Sequence, residues 1–76
     1  MNKARRAELN RILNALNELK TDVETVHDDE ESAMDSMPES LQESDRYATM
    51  EEAVYNLDEA ISCLEDAVDY LESAME

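Results

Sequence analysis

The chain has no glycine, tryptophan or phenylalanine, and it has only one proline, one cysteine and one histidine. The absence of glycine excludes the phosphate-binding loops of nucleotide-binding folds, which need glycine at fixed positions. Together with the single proline it also argues against a β-sandwich or β-barrel, because the many turns of such folds favour these two residues. One cysteine and one histidine are too few for a zinc site with the usual four ligands.

Long apolar segments are also missing from the 76 residues. No run of eighteen apolar residues occurs, so the sequence predicts no transmembrane helix and no membrane partner. A lone cysteine, and the lack of an apolar segment behind the basic N-terminal residues, favour the cytoplasm. Nothing pairs a nucleophile with a base, so we predict that the protein is not an enzyme and binds no cofactor or metal.

Charge is distributed unevenly along the chain. Asp and Glu number 21 against six Lys and Arg, which gives a formal net charge of −15. Residues 1–20 hold five basic and two acidic side chains, a net +3, whereas residues 21–76 hold one basic and nineteen acidic side chains, a net −18. A body of −18 repels nucleic acids and attracts basic proteins. We therefore expect a protein partner with a basic surface and no direct nucleic-acid binding.

What the sequence does contain is two long segments with the apolar spacing of coiled-coil helices. In both segments apolar residues recur in alternating steps of three and four, which are the a and d positions of a heptad repeat. The predicted seam of the first segment is Leu9, Ile12, Leu16, Leu19, Val23, Val26, Glu30, Ala33 and Met37. That of the second is Tyr47, Met50, Val54, Leu57, Ile61, Leu64, Val68, Leu71 and Met75.

The segment between the two helices carries the signals of a helix end and a helix start. Pro38 disfavours helical geometry at the residue before it, so the first helix is expected to end near Met37. Ser44 is a suitable N-cap for the second helix. Ser36 and Glu39 have capping-box spacing, which predicts a short helical turn. We predict one all-α domain over residues 1–76, an antiparallel two-helix hairpin with helices over about 3–37 and 45–75 and a linker over 38–44.

One antiparallel register pairs the two seams. When residues whose numbers sum to 80 face each other, every seam residue meets a seam residue, as with Leu16 and Leu64 or Val26 and Val54. Two helices bury only one seam. Chains of this size seldom fold without a disulfide, a structural metal or association with another chain. We therefore expect a homodimer that forms a four-helix bundle. Its contacts are predicted at a further apolar stripe: Leu13, Met34, Ala53, Ala60, Ala67 and Ala74.

Four side chains permit either a functional or a purely structural interpretation. Glu24 and His27 have the Glu-x-x-His spacing of di-iron bundles, but the second helix offers no inward carboxylate at that level, so an ordinary helix surface is preferred. Glu30 is the one charged residue on the predicted seam, and it either reaches solvent or pairs with Arg46. Cys63 is expected to be an inert surface thiol.

The density of carboxylates also permits two interpretations. Helices of this length are roughly 50 Å long, so the 21 carboxylates give about one per 2.4 Å, against one charge per ~1.7 Å of DNA axis. The acidic surface either mimics nucleic acid or keeps a small helical protein soluble. If it binds a partner, we expect the outward residues of the second helix to do so: Glu51, Glu52, Tyr55, Asp58, Glu59, Glu65, Asp66, Asp69, Tyr70 and Glu72.

The linker and the start of the second helix resemble a known group of proteins. Residues 35–47 read Asp-Ser-Met-Pro-Glu-Ser-Leu-Gln-Glu-Ser-Asp-Arg-Tyr and precede an acidic heptad helix. This Met-Pro-Glu-x-Leu-Gln linker, with Ser, an acid, Arg and Tyr behind it, is similar to that of small acidic helical proteins of phages and prophages of Gram-positive bacteria. The match covers about residues 30–72, and the group commonly has Gly where this chain has Glu43. The resemblance implies a phage setting, in which small acidic proteins block host nucleic-acid-binding defence enzymes.

Two functions follow as expectations, and a self-assembled bundle with no partner is a third possibility. The first is an acidic interaction module that mimics nucleic acid and inhibits a host DNA- or RNA-binding defence protein, in the cytoplasm of the infected cell. The alternative is a structural or assembly coiled-coil module that binds another helical protein through its apolar seam. Screening by salt separates the two, because it weakens the first kind of binding and has little effect on the second.

Overall fold

The computed structural model describes all 76 residues as a hairpin of two long helices. Helix α1 spans Lys3–Asp35 and helix α2 spans Asp45–Ala74, with a 3-10 turn at Glu39–Leu41 between them. The helices pack side by side into a rod with principal extents of 59 × 15 × 13 Å. No strand is present. The predicted all-α helical hairpin is confirmed.

Polar side chains define where both helices begin. Asn2 Oδ1 accepts a hydrogen bond from the Arg5 amide at 2.8 Å, and Ser44 Oγ accepts one from the Tyr47 amide at 3.2 Å. These bonds satisfy amide donors that no carbonyl of the same helix can reach. The sequence pattern predicted the cap at Ser44 and missed the one at Asn2.

The linker differs from the prediction at the end of α1. Helix α1 ends at Asp35, two residues before the expected Met37, and Ser36 is its C-cap. The Ser36 hydroxyl donates to the Ser32 carbonyl at 2.8 Å, so it does not cap the turn that begins at Glu39. The predicted capping box therefore does not form, and the turn begins without a side-chain cap.

Helix α2 uses the seam that its heptads predict. Its a and d residues, from Tyr47 to Met75, are all buried or half-buried. The hairpin core is nevertheless thin, because only three of the 76 residues are buried: Leu13, Val54 and Val68. A core of this size is typical of a single helical layer, in which every residue stays within reach of solvent.

Helix α1 is rotated by about one residue from its predicted seam. Leu19 and Val26 were expected to face α2, yet they are 56% and 57% exposed. Lys20 and His27 are half-buried in their place, and Leu13, expected outside the seam, is the least exposed residue of the chain. The predicted seam of α1 is thus wrong at these positions and at exposed Ala33. The residues of α1 that are buried or half-buried are Leu9, Ile12, Leu13, Leu16, Lys20, Val23, Glu24, His27, Glu30 and Met34.

Candidate interaction surfaces

The rotation of α1 gives the hairpin two unlike sides. Around the axis of α1, Lys20 and His27 lie on one flank of the line through Leu16 and Val23, and Leu19 and Val26 lie on the other flank. The heptad positions of α2 continue this division. We call the flank where Lys20 and His27 meet Asp58 and Glu65 the polar side, and the flank that carries Leu19, Val26, Leu57 and Leu64 the apolar side.

The polar side is organised around His27, whose side chain is only 12% exposed. Its Nε2 atom lies 2.8 Å from Asp58 Oδ1 of α2 and 3.7 Å from Glu31 Oε2, and its Nδ1 atom lies 3.0 Å from Asp28 Oδ1. Nε2 is shielded from solvent and makes no aligned hydrogen bond, so its attraction to Asp58 is electrostatic. The ring is therefore held between carboxylates of both helices.

These carboxylates raise the pKa of His27 above its ordinary value of 6.5. The hydrogen bond with Asp28 is the largest cause, and the charges of Asp58, Glu31 and Asp28 add to it. Burial of the ring acts in the opposite direction, because it disfavours the charged imidazolium. A protonated His27 is thus the form that connects the two helices on the polar side.

A second ion pair and one terminal hydrogen bond extend this contact along the rod. Lys20 Nζ lies 3.8 Å from Glu65 Oε1, with side-chain exposures of 23% and 54%. In the predicted register, facing residues have numbers that sum to 80, but the numbers of Lys20 and Glu65 sum to 85, as do those of His27 and Asp58. These long side chains therefore reach partners about five residues beyond the ones directly opposite. At the open end, Arg6 Nε donates to the Met75 carbonyl at 3.1 Å. The basic N-terminal segment therefore touches the acidic end of α2.

Two other charged residues of α1 form no ion pair with α2. Glu30 is half-buried and forms no ion pair with Arg46, which leaves the alternative in which its carboxylate reaches solvent. Arg11 pairs with Glu8 in the preceding turn of α1. Their hydrogen bond and mutual charge lower the pKa of Glu8 and raise that of Arg11.

The apolar side contains an open groove of about 430 Å³. The groove is lined by five apolar residues and one acid: Leu19, Val23, Val26, Leu57, Leu64 and Asp22. Ala60 lies three residues after Leu57 and four before Leu64, so it adjoins both on the surface of α2. Because Ala60 is exposed, it continues the apolar surface beyond the groove.

The acidic surface of α2 lies apart from this groove. With Tyr47 and Val54 at position a and Met50 and Leu57 at position d, its carboxylates occupy heptad positions b, e and f. Positions a, d, g and c hold no charged residue between Tyr47 and Ala74. All ten residues predicted to bind a partner are exposed, and Tyr55 and Tyr70 are 63% and 78% exposed. Asp58 and Glu65 differ from the rest, because they already pair with His27 and Lys20. A shallow cleft of about 290 Å³ is lined by Asp66, Asp69, Tyr70 and Ser73.

The residues predicted for dimer contacts do not form one surface. Leu13 is only 6% exposed and lies inside the hairpin, so the prediction that it lies outside the seam is wrong. It is therefore not available to a second chain. Two of the others are exposed and three are half-buried: Ala60 and Ala74 exposed, Met34, Ala53 and Ala67 half-buried. The large apolar residues that the hairpin exposes near its middle are Leu19 and Val26 instead.

The structure also bears on a metal site, a reactive thiol and a membrane-spanning helix. No group of three or more His, Cys, Asp or Glu side chains is arranged to hold a metal ion. Glu24 is half-buried, but its neighbour His27 is committed to Asp28 and Asp58. Cys63 is a free, exposed thiol. Neither helix contains a stretch of the length and hydrophobicity needed to cross a lipid bilayer.

No family model matches the chain, and neither the curated proteins nor the solved structures include one that is significantly similar to it. The functional assignment therefore depends on the surfaces of the hairpin. Sequence reasoning found the acidic surface and missed the ion-paired polar side. The sequence did contain a signal for the polar side, because Lys20 and His27 are seven residues apart, as are Asp58 and Glu65.

Proposed function

We propose that this protein is a small acidic phage-type interaction module that acts as a homodimer. It occupies the basic groove of a host protein that handles DNA or RNA, and so inhibits that protein by mimicking nucleic acid. The observation that carries the proposal is the continuous, exposed acidic surface of α2, which no element of the chain covers. The resemblance of the linker and α2 to small acidic phage proteins supports the same setting.

Charge density supports the choice of a nucleic-acid-binding target. The 21 carboxylates along 59 Å amount to one per 2.8 Å (59/21), somewhat sparser than the spacing expected from the sequence. Two copies laid side by side halve this to 1.4 Å (59/42), close to the ~1.7 Å per charge of duplex DNA. Association as a homodimer therefore brings the rod into the range that a DNA-binding groove recognises.

Within the acidic surface, the side chains without an ion-pair partner are the best contacts for a basic protein. They are Glu51, Glu52, Glu59, Asp66, Asp69 and Glu72. Tyr55 and Tyr70 supply exposed aromatic area beside them, a residue type that is frequent at protein interfaces. Asp58 and Glu65 contribute less, because binding through them competes with His27 and Lys20.

The first experiment captures proteins from a lysate of a Gram-positive bacterium on the immobilised hairpin at about 0.1 M salt. Retained proteins are eluted first with duplex DNA and then with 1 M salt, where the screening length falls to about 3 Å. We expect a nucleic-acid-binding protein to leave with the DNA. Retention that responds neither to DNA nor to salt would show that mimicry is wrong.

A charge-reversal variant then tests which residues bind. Glu52→Lys, Glu59→Lys and Asp66→Lys lie at position f, opposite the seam and outside the ion pairs. Combined, they should weaken binding of the captured protein about tenfold or more and leave the hairpin folded. The matched control makes the same charge change on α1, at the exposed residues Glu18, Asp29 and Asp35. Equal binding by the α2 variant and the wild type would refute the proposed surface.

The second candidate is an assembly module that binds another helical protein, and the open apolar groove is the observation that favours it. Its contacts would be Leu19 and Val26, since Leu13 is enclosed within the hairpin. This candidate predicts that Leu19→Glu abolishes capture of the partner, that the α2 charge reversal does not, and that salt has little effect.

A further inference from the structure

The apolar side is a long and mainly apolar surface on a strongly acidic protein, and Asp22 is the one acid that lines its groove. The chain carries a net charge of −15, yet α2 has no charged residue at its d, g or c positions between Tyr47 and Ala74. On α1 the same side presents Leu19 and Val26, each more than half exposed. Exposed apolar area of this extent marks an interaction site in a soluble protein.

Surface area indicates that the hairpin alone is incomplete. It exposes 5652 Å², about 900 Å² more than the roughly 4,700 Å² expected for a compact protein of 8.7 kDa. A face about 10 Å wide along the 59 Å rod buries about 600 Å² per copy, or about 1,200 Å² in a symmetric pair. That area reaches the lower end of the range for specific complexes and removes most of the excess.

We propose that the apolar groove binds the same groove of a second copy, with the two hairpins antiparallel. The inference rests on the proposed homodimer and assigns its contact surface and orientation. Leu19, Val26, Leu57 and Leu64 of each copy form the centre of a four-helix bundle, and Ala60 allows the facing helices to approach closely. The polar sides and the acidic surfaces of both copies remain outside this contact.

Charge decides the orientation. The half of the rod formed by residues 1–20 and 57–76 holds five basic and nine acidic residues, a net −4. The half formed by residues 21–56 holds one basic and twelve acidic residues, a net −11. A parallel dimer would place the two −11 halves together. The antiparallel dimer places each −11 half beside a −4 half that contains Lys3, Arg5 and Arg6, which lowers the repulsion.

The test of the contact surface is the mass in solution, measured by sedimentation equilibrium from about 1 to 100 μM. We expect the wild type to approach twice 8.7 kDa. Leu19→Glu and Val26→Glu should each weaken self-association about 30-fold or more, because each places two carboxylates in the apolar centre. Ala60→Glu, on the same face of α2, should act in the same direction.

The matched control is Tyr55→Glu, which adds the same charge at a 63% exposed residue outside the apolar side. It should leave the mass unchanged, and circular dichroism should show that every variant remains helical. A dimer that survives both Leu19→Glu and Val26→Glu would overturn the contact surface while leaving the homodimer intact. A monomeric wild type would overturn both, including the case in which the groove takes a helix of another protein. A monomer would keep one carboxylate per 2.8 Å and so lose the DNA-like charge spacing, whereas the charge reversal on α2 tests the acidic surface separately.

Spin labels test the orientation. Ser40 lies in the linker and is exposed, so it can be replaced by cysteine for labelling in a Cys63→Ser background. The antiparallel dimer places the two labels at opposite ends, close to the 59 Å length of the rod. A parallel dimer would bring them within about 20 Å, the width of two helices, and that result would overturn the orientation.

Discussion

The polar and apolar sides of the hairpin differ in whether their side chains find partners within the same chain. On the polar side, His27 and Lys20 meet Asp58 and Glu65, so these two half-buried basic side chains of α1 have partners within the molecule. On the apolar side, Leu19 and Val26 face solvent and no part of the chain covers them. A layer of two helices can bury one seam only. The difference teaches that α1 turns toward α2 the flank with Lys20 and His27, which needs charged partners. The flank with Leu19 and Val26 stays exposed, where a second chain can bury it.

The largest effect expected from this comparison concerns the apolar residues on either flank of α1. Leu13→Ala should reduce the free energy of unfolding by about 2 kcal/mol or more, since Leu13 is the least exposed residue. Leu19→Ala should change it by no more than about 0.5 kcal/mol, as for other exposed residues. Both are measured by urea denaturation in the Val26→Glu background, which the proposed dimer interface predicts to be monomeric. A greater loss for Leu19→Ala would show that α1 faces α2 as its apolar spacing predicted.

The next effect is the dependence of stability on pH through His27. Its pKa in the hairpin is raised above 6.5, first by the hydrogen bond with Asp28 and then by the charges of Asp58 and Glu31. A raised pKa means that protonated His27 stabilises the fold fully below about pH 6.5, and that this contribution is lost as pH rises through the raised value. The difference in urea midpoint between wild type and His27→Gln should therefore shrink from pH 6 to pH 8.5.

Asp58→Asn provides the control for the His27 prediction. It removes the charge on α2 and leaves Asp28 and Glu31 in place, so NMR titration should show the imidazole pKa moving back toward its ordinary value. Parallel pH profiles for wild type and His27→Gln would mean that the ring does not connect the helices.

The smallest effect belongs to Lys20 and Glu65. Glu65 is 54% exposed and the two charged atoms are 3.8 Å apart, so water screens most of their attraction. A double-mutant cycle with Lys20→Met and Glu65→Gln should give a coupling of about 0.2–0.5 kcal/mol. The same cycle with Glu59, which has no ion-pair partner, in place of Glu65 should give none. Equal coupling in both cycles would indicate a general charge effect and not a specific pair.

The two helices show how far the sequence could predict the fold. In α2 the acids at b, e and f leave a single apolar flank, so the seam from Tyr47 to Met75 follows from the heptads alone. In α1 two series share Leu9, Leu16 and Val23, one continuing through Leu19 and Val26 and the other through Lys20 and His27. Counting apolar residues favours the first series. In the structure, the series through Lys20 and His27 faces α2, because these side chains pair with carboxylates of α2. The spacing of residues in α1 alone does not reveal those carboxylates.

The candidate surfaces divide in the same way. The exposed acids of α2 could be predicted, because residues opposite a seam point to solvent. The groove could not, since it depends on the rotation of α1 that exposes Leu19 and Val26. Leu13 was misplaced for the same reason, because the rotation that exposes Leu19 turns Leu13 inward.

The orientation of α1 is tested most directly by NMR contacts in the wild-type protein. Isotope-filtered spectra that separate contacts within one chain from those between chains should show the ring protons of His27 close to the β-protons of Asp58. The account would be contradicted if the methyl groups of Val26 contacted those of Val54 within the chain while His27 and Asp58 showed no contact. That result would place Leu19 and Val26 inside the hairpin and remove the open groove.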